Sequence, residues 1–160
     1  MEILIIGGTG FIGYHAALAL NQRGYQVSVL GLPPLPTEGL LPPEIKVYLG
    51  DLNKISDADI LSILKNKKAM IFAAGSDDRV VPQTPSYPYF YNANVNPLKR
   101  LIPLAKKSGV KRGVVIGSYF THFERIWPAL KLKEHHPYIR SRVDQVNIIK
   151  QASDQDLALM

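Results

Sequence analysis

Three regularly spaced glycines are the residues whose type and position most directly suggest chemistry. They are Gly7, Gly10 and Gly13, and they lie between a short apolar run and a segment with helical spacing. Gly7 permits a tight turn, Gly10 lets the backbone approach a phosphate closely, and Gly13 allows the helix to pack on the strand. Free N–H groups at the helix start, among them those of Phe11 and Ile12, attract phosphate. A tight strand–helix turn without a ligand can carry the same glycines, but in this context the pattern predicts dinucleotide binding.

Strands and helices alternate along the chain around this turn. Apolar runs bounded by glycine or turn residues predict buried parallel strands, namely Ile3–Ile6, Gln26–Leu30, Ile45–Leu49, Ala69–Ala74 and Gly113–Ile116. Helical spacing predicts helices over Phe11–Arg23, Ser56–Leu64, Tyr89–Lys107 and Pro137–Ala152. Pro97 and Pro103 should kink or split the third helix. The alternation predicts an α/β fold with a doubly wound parallel sheet of the Rossmann type.

The remaining segments are predicted connections and the start of one more strand. Gly31–Pro43 contains five prolines, and Gly75–Pro88 and Ser118–His136 also lack a continuous pattern. Asp156–Met160 has the pattern of the opening of a sixth strand. We therefore expect residues 1–160 to form one NAD(P)-binding domain that is truncated near its sixth strand, as a fragment of a longer protein.

Composition excludes several classes of function. The chain has no cysteine, so it cannot use a thiolate nucleophile, a disulfide or a cysteine-bound metal, which fits a cytoplasmic location. Its apolar runs are too short to span a membrane. The four histidines lack a supporting ligand cluster, so no metal site is predicted. The net charge of +6 comes mostly from basic residues near predicted helix ends, where cations are favourable. No aromatic-rich motif accompanies them, so the charge is weak evidence for a nucleic-acid partner.

Further motifs at matching positions extend the pattern over nearly the whole chain. They are Gly50-Asp51-Leu52, Phe72-Ala73-Ala74-Gly75, Asn92-Ala93-Asn94-Val95-Asn96, Val110-Lys111-Arg112, Ser118, and Tyr138-Ile139-Arg140-Ser141-Arg142. Together with the Gly-x-x-Gly-x-x-Gly turn, they resemble the extended short-chain dehydrogenase/reductase family, in its NAD-dependent epimerase/dehydratase branch.

The resemblance implies roles for individual residues. Asp51, followed by Leu52, would contact the adenine, and three small residues would line the nicotinamide side of the groove, namely Ala73, Ala74 and Gly75. Asn94 would have a structural and proton-relay role beside the cofactor. Ser118 would hold a substrate oxygen, and Tyr138 would be the general acid/base. The resemblance also implies a homodimer formed through the family's fourth and fifth helices, here Tyr89–Lys107 and Pro137–Ala152.

Two substitutions and one missing part depart from the family pattern. Arg142 stands where the family has the lysine of Tyr-x-x-x-Lys, and a guanidinium cannot relay protons as an ammonium can. Gly31 stands where NAD-binding members carry an acid for the ribose 2′-hydroxyl, so NAD and NADP are not distinguished and Gly31→Asp should favour NAD. The family's C-terminal substrate domain is absent from these residues.

These features leave two main functional hypotheses. The first is an NAD(P)-binding oxidoreductase or epimerase/dehydratase that acts by hydride transfer on a nucleotide-sugar-like or hydroxyl/keto small-molecule substrate. The second is a non-catalytic NAD(P)-binding sensor or scaffold, which Arg142 and Gly31 favour. A nucleic-acid-binding relative is a third hypothesis that rests only on the net charge of +6.

Overall fold

A computed structural model describes residues 1–160 and contains one parallel sheet of six strands. The strands are β1 Glu2–Ile6, β2 Gln26–Gly31, β3 Lys46–Leu49, β4 Ala69–Phe72, β5 Arg112–Val115 and β6 Ala158–Leu159. They lie in the order β3-β2-β1-β4-β5-β6. This is the strand order of the doubly wound Rossmann fold, and the predicted fold class is confirmed.

Seven α-helices connect the strands. They are α1 Phe11–Gln22, α2 Asp57–Leu64, α3 Tyr87–Asn94, α4 Asn96–Lys107, α5 Tyr119–Ile126, α6 Leu132–His135 and α7 Pro137–Ala152. The predicted third helix is split at Val95. Pro97, in the first turn of α4, has no backbone N–H to donate to the preceding turn, so α3 does not run on into α4. Pro103, in contrast, lies inside α4 without breaking it. None of the helices is long and apolar enough to cross a membrane.

The segment Ser118–His136 is more regular than the sequence analysis predicted. It contains α5, a short 3-10 helix at Pro128–Leu130, and α6. A signal for α5 was present, since the aromatic side chains of Phe120, Phe123 and Trp127 recur at the spacing of one helical face. Neither α5 nor α6 has a buried residue, so the sequence pattern of α5 does not mark a core-facing helix as it does for α1, α2, α3, α4 and α7.

The two faces of the sheet carry separate apolar clusters. Leu4 and Ile6 of β1 belong to the cluster under α2, α4 and α7, whereas Ile3 and Ile5 belong to the cluster that includes Ala17 of α1. Successive side chains of a strand point to opposite faces, so the continuous apolar run of β1 supplies both clusters. The strand is therefore buried at the centre of the sheet.

The strand order brings the carboxyl ends of β1, β2 and β4 together. At this point the chain, which had moved across the sheet in one direction from β1 to β3, crosses back to continue in the other direction from β4 to β6. Ile6 is paired with Leu30 of β2 and with Phe72 of β4. The N–H of Gly7 donates to the Leu30 carbonyl at 2.7 Å, and the N–H of Ala73 donates to the Ile6 carbonyl at 2.8 Å. In doubly wound sheets, ligands bind in the crevice at this position.

Candidate functional site: a groove at the carboxyl edge of the sheet

An open groove of about 520 Å³ lies at the carboxyl ends of β1, β2 and β4. This volume lies within the range of about 300–1,000 Å³ that is usual for small-molecule sites. Seven of the predicted cofactor residues line it, namely Gly7, Gly10, Asp51, Leu52, Ala73, Ala74 and Gly75. The structure thus brings these residues together, although they come from three separate parts of the sequence.

The glycine turn presents unbonded donors at the start of α1. Gly7 has a φ of +81°, and a Cβ placed on Gly13 would lie 2.2 Å from the Gly7 carbonyl oxygen, so both positions require glycine. The backbone N–H groups of Phe11, Ile12 and Gly13 have no hydrogen-bond partner in the protein, as expected for a first helical turn. These donors and the positive end of the helix dipole make the turn suited to an anion such as a pyrophosphate.

Asp51 and Gly31 lie together among the residues that line the groove. The Asp51 carboxylate accepts from the N–H of Asn53 at 2.9 Å and lies 3.4 Å from the Lys54 ammonium. A Cβ on Gly31 would lie 2.3 Å from Oγ1 of Thr9. Gly31→Asp is predicted to favour NAD, and the structure adds that the Thr9 side chain must move to make room for the new side chain.

Asn94 lies behind the groove wall and is fully buried. Its Oδ1 accepts from the N–H of Ser76 at 2.8 Å, and its Nδ2 donates to Oγ of Ser141 at 3.1 Å. Gln145 donates from Nε2 to the Asn94 carbonyl at 3.1 Å. Asn94 therefore joins the loop after β4 to α7, and its side chain does not line the groove.

Tyr138 and Arg142 lie on adjacent turns of α7, and both are buried. The Tyr138 ring packs edge-to-face against Phe90 and Phe120, with ring centroids at 5.6 and 6.1 Å, and its hydroxyl makes no hydrogen bond in the protein. The guanidinium carbon of Arg142 lies 5.8 Å from the centre of the Tyr138 ring. A cation thus lies beside the phenol, as the i, i+4 spacing predicts.

The Arg142 guanidinium is already engaged by the protein backbone. Its Nη2 donates to the carbonyls of Ile116 at 3.0 Å and Gly117 at 2.8 Å, while its buried Nε has no partner. Burial lowers the pKa of Arg142, and Tyr138 and Asp77 act in the opposite direction. Arg142 therefore links α7 to the end of β5.

Ser118 is the residue directly after the backbone that Arg142 binds. It is the N-cap of α5, and its Oγ accepts from the N–H of Phe120 at 3.3 Å. Its carbonyl accepts from Oγ1 of Thr121 at 2.7 Å. The serine is half-buried, so its hydroxyl combines a capping role with partial access to solvent.

The sequence that forms this groove matches a known protein family. The sequence model of the NAD dependent epimerase/dehydratase family matches residues 3–158, almost the whole chain. The chain belongs to this family.

Individual relatives agree with the family assignment. The chain is 30% identical over 122 residues to human sterol-4-alpha-carboxylate 3-dehydrogenase, decarboxylating. The matched region covers 76% of this chain and 30% of that relative. It is 34% identical over 127 residues to UDP-glucose 4-epimerase of Lactobacillus helveticus, and the matched region covers 76% of this chain and 37% of that relative. The chain thus spans about a third of the length of these relatives.

Solved structures agree with the fold. MoeE5 in complex with UDP-glucuronic acid and NAD has a TM-score of 0.74 at 23% identity, covering 99% of this chain and 52% of that one. UDP-glucuronic acid 4-epimerase from Bacillus cereus in complex with NAD has a TM-score of 0.76 at 14% identity, and the match covers 99% of this chain and 55% of that one. At these identities the similarity concerns the fold.

Several groove residues of this epimerase/dehydratase family member were missed by the sequence analysis. They are Thr9, Leu32, Asn53, Ser76, Tyr89, Asn92, Ala93 and Pro97, together with Ile6 and Leu30. Thr9, Asn92 and Ala93 lie inside motifs that were recognised, and most of the others lie next to one, so a position in or beside a motif was the available signal. Ser118, Tyr138 and Arg142 do not line this groove.

Replacing Asn94 should weaken the fold because two buried groups would lose their partner. Asn94→Ala removes the acceptor for the N–H of Ser76 and the donor to the Ser141 hydroxyl. We therefore expect a loss of about 2 kcal/mol in the free energy of unfolding. Urea denaturation measures this loss. Asn147→Ala, at an exposed position of α7, is the matched control and should change stability by less than about 0.5 kcal/mol. Equal effects of the two variants would contradict the structural role of Asn94.

Proposed function

We propose that this chain is the dinucleotide-binding part of an NAD-dependent oxidoreductase or epimerase/dehydratase. The observation that carries the proposal is the groove at the carboxyl ends of β1, β2 and β4. The N–H groups at the start of α1 are unbonded there, and glycines keep the turn open. The family name and the NAD in MoeE5 and the Bacillus cereus epimerase support NAD as the cofactor. The relatives named as a UDP-glucose epimerase and a sterol dehydrogenase support a nucleotide-sugar-like or hydroxyl/keto substrate.

In this proposal each part of the groove holds one part of the cofactor. The turn Gly7–Gly13 binds the pyrophosphate through the N–H groups of Phe11 and Ile12. Asp51 and Leu52 contact the adenine, and the run Ala73–Gly75 lines the nicotinamide side. Asn94 acts indirectly, by holding the loop after β4 in place. Bound NAD supplies a hydride acceptor, and the protein supplies the orientation and the proton transfer.

Proton transfer falls to the residues around α7. The Tyr138 hydroxyl has no partner in the protein, so it is available to a substrate hydroxyl as general acid/base. The Arg142 guanidinium lies beside its ring, 5.8 Å from the ring centre. Ser118 holds the substrate oxygen and gives up its weak contact with the N–H of Phe120.

A specific observation favours the second hypothesis, a non-catalytic NAD(P)-binding sensor or scaffold. Arg142 uses Nη2 for the carbonyls of Ile116 and Gly117, which is a structural link. A guanidinium held in this way is a poorer proton relay than a lysine ammonium. In that case the groove would bind cofactor and no turnover would follow.

One experiment distinguishes these two functions. The whole protein is titrated with NAD, NADH, NADP and NADPH by calorimetry and then assayed with UDP-sugars and with secondary alcohols and ketones. Binding with turnover supports the enzyme, and binding without turnover across the panel supports the sensor or scaffold. If none of the four dinucleotides binds, both hypotheses are wrong.

We also propose a homodimer formed through the α3–α4 segment and α7. Two contacts order this surface: the Tyr87 hydroxyl donates to the Asp144 carboxylate at 2.5 Å, and the Arg140 guanidinium carbon lies 4.2 Å from the centre of the Tyr87 ring. Burial, with the Asp144 contact, raises the pKa of Tyr87 to about 12. Sedimentation equilibrium should give a dimer, and Arg140→Glu should shift it toward monomer.

A further inference from the structure

Thr9 and Gly31 form a tight contact at the end of β2. A Cβ on Gly31 would lie 2.3 Å from Thr9 Oγ1, 2.6 Å from Cγ2 and 3.0 Å from Cβ. Real Cβ atoms do not approach other atoms at the two shorter distances, and a threonine side chain is too short to move away freely. Thr9 therefore fills the space in which any side chain at position 31 would begin.

This space is the position from which Rossmann domains hold the adenosine ribose. An acid at the end of the second strand normally accepts a hydrogen bond from the ribose 2′-hydroxyl. Here Gly31 is the last residue of β2, and both Gly31 and Thr9 line the groove. Thr9 is half-buried in the groove lining and its hydroxyl takes part in no hydrogen bond within the protein, so it is free for a ligand.

The charges around this end of the groove are few. Asp51 is the only charged residue among those that line it, and its carboxylate is held by the N–H of Asn53 and lies near Lys54. No lysine or arginine lines the groove to receive a 2′-phosphate. A neutral hydroxyl can donate to a phosphate and can also accept from a ribose hydroxyl.

We infer that Thr9 replaces the missing acid as the residue that binds the adenosine ribose, and that it sets a weak preference between NAD and NADP. This inference rests on the proposed dinucleotide binding. Because the Thr9 hydroxyl serves either ribose, the two cofactors bind within about tenfold of each other. Because Thr9 also fills the space beside Gly31, a carboxylate at position 31 works only when Thr9 is made smaller.

A matched pair of substitutions tests the role of the hydroxyl. Thr9→Val keeps the shape and removes the hydroxyl, whereas Thr9→Ser keeps the hydroxyl. We expect Thr9→Val to weaken the binding of NAD by about three- to tenfold, the effect of one net hydrogen bond, and Thr9→Ser to bind NAD within about twofold of wild type. Calorimetry on the whole protein measures both, and the thermal midpoint confirms folding.

A double mutant tests the contact with Gly31. Gly31→Asp alone should weaken NAD and NADP alike, because its Cβ displaces Thr9. Thr9→Ala combined with Gly31→Asp leaves 3.0 Å between the two Cβ positions, which a shift of a few tenths of an ångström relieves. The double mutant should recover NAD binding and prefer NAD over NADP by at least about thirtyfold, through acceptance of the 2′-hydroxyl and repulsion of the 2′-phosphate.

The outcomes separate this inference from the proposed function. If wild type binds neither dinucleotide, the proposed function fails and the inference fails with it. If wild type binds and Thr9→Val binds equally well, the proposed function stands and Thr9 does not contact the ribose. If Gly31→Asp alone gains the same NAD preference as the double mutant, the contact between Thr9 and position 31 does not control recognition, and the inference is overturned.

Discussion

Gly10→Val should reduce dinucleotide affinity by at least about 100-fold, or about 2.7 kcal/mol, without unfolding the protein. Gly10 is exposed and has φ −87° and ψ 168°, an extended conformation that valine adopts readily. A Cβ there would lie 3.4 Å from the Gly7 carbonyl oxygen, which is an ordinary contact. The side chain would instead stand beside the free N–H groups of α1, where the phosphate must approach.

The control separates binding from folding. Gly10→Ala places a single methyl group at the same position and should give a smaller loss, while Thr37→Val adds a valine at an exposed loop position and should have no effect. All three variants should unfold within a few degrees of wild type. A folded Gly10→Val protein that binds NAD with wild-type affinity would place the pyrophosphate elsewhere.

Tyr138→Phe should lower turnover by about a thousandfold and leave cofactor affinity unchanged. General acid–base catalysis contributes about 10²–10⁴ to a rate, and the phenol is the group that would supply it. The substitution keeps the ring that packs against Phe90 and Phe120, and the hydroxyl has no protein partner to lose. Single-turnover reduction of bound NAD by substrate, followed at several pH values, measures the effect.

Arg142→Lys tests the cation beside the same phenol. We expect the variant to fold and to raise turnover, because a lysine ammonium can relay protons and a guanidinium cannot. It should lose part of the link to Ile116 and Gly117 and therefore some stability. Activity that survives Tyr138→Phe would contradict the acid/base assignment. Binding without turnover in wild type and in Arg142→Lys would favour the sensor or scaffold.

The sequence determined the order of the elements and the position of the glycine turn at the start of α1. Apolar runs such as that of β1 and the spacing of Gly7, Gly10 and Gly13 are local patterns, and the parallel sheet and the open start of α1 follow from them. The split after Asn94 was also foreseeable from Pro97, although the sequence did not decide between a kink and a break.

Only the tertiary structure decided which side chains meet at the ends of the groove. Thr9 and Gly31 lie on different elements, and their contact depends on how β1 and β2 pair and on how the turn after β1 folds back. Arg142 and the carbonyls of Ile116 and Gly117 meet because α7 packs beside the end of β5. Such contacts depend on strand register and helix placement, which the packing of the whole chain sets and which no local pattern encodes.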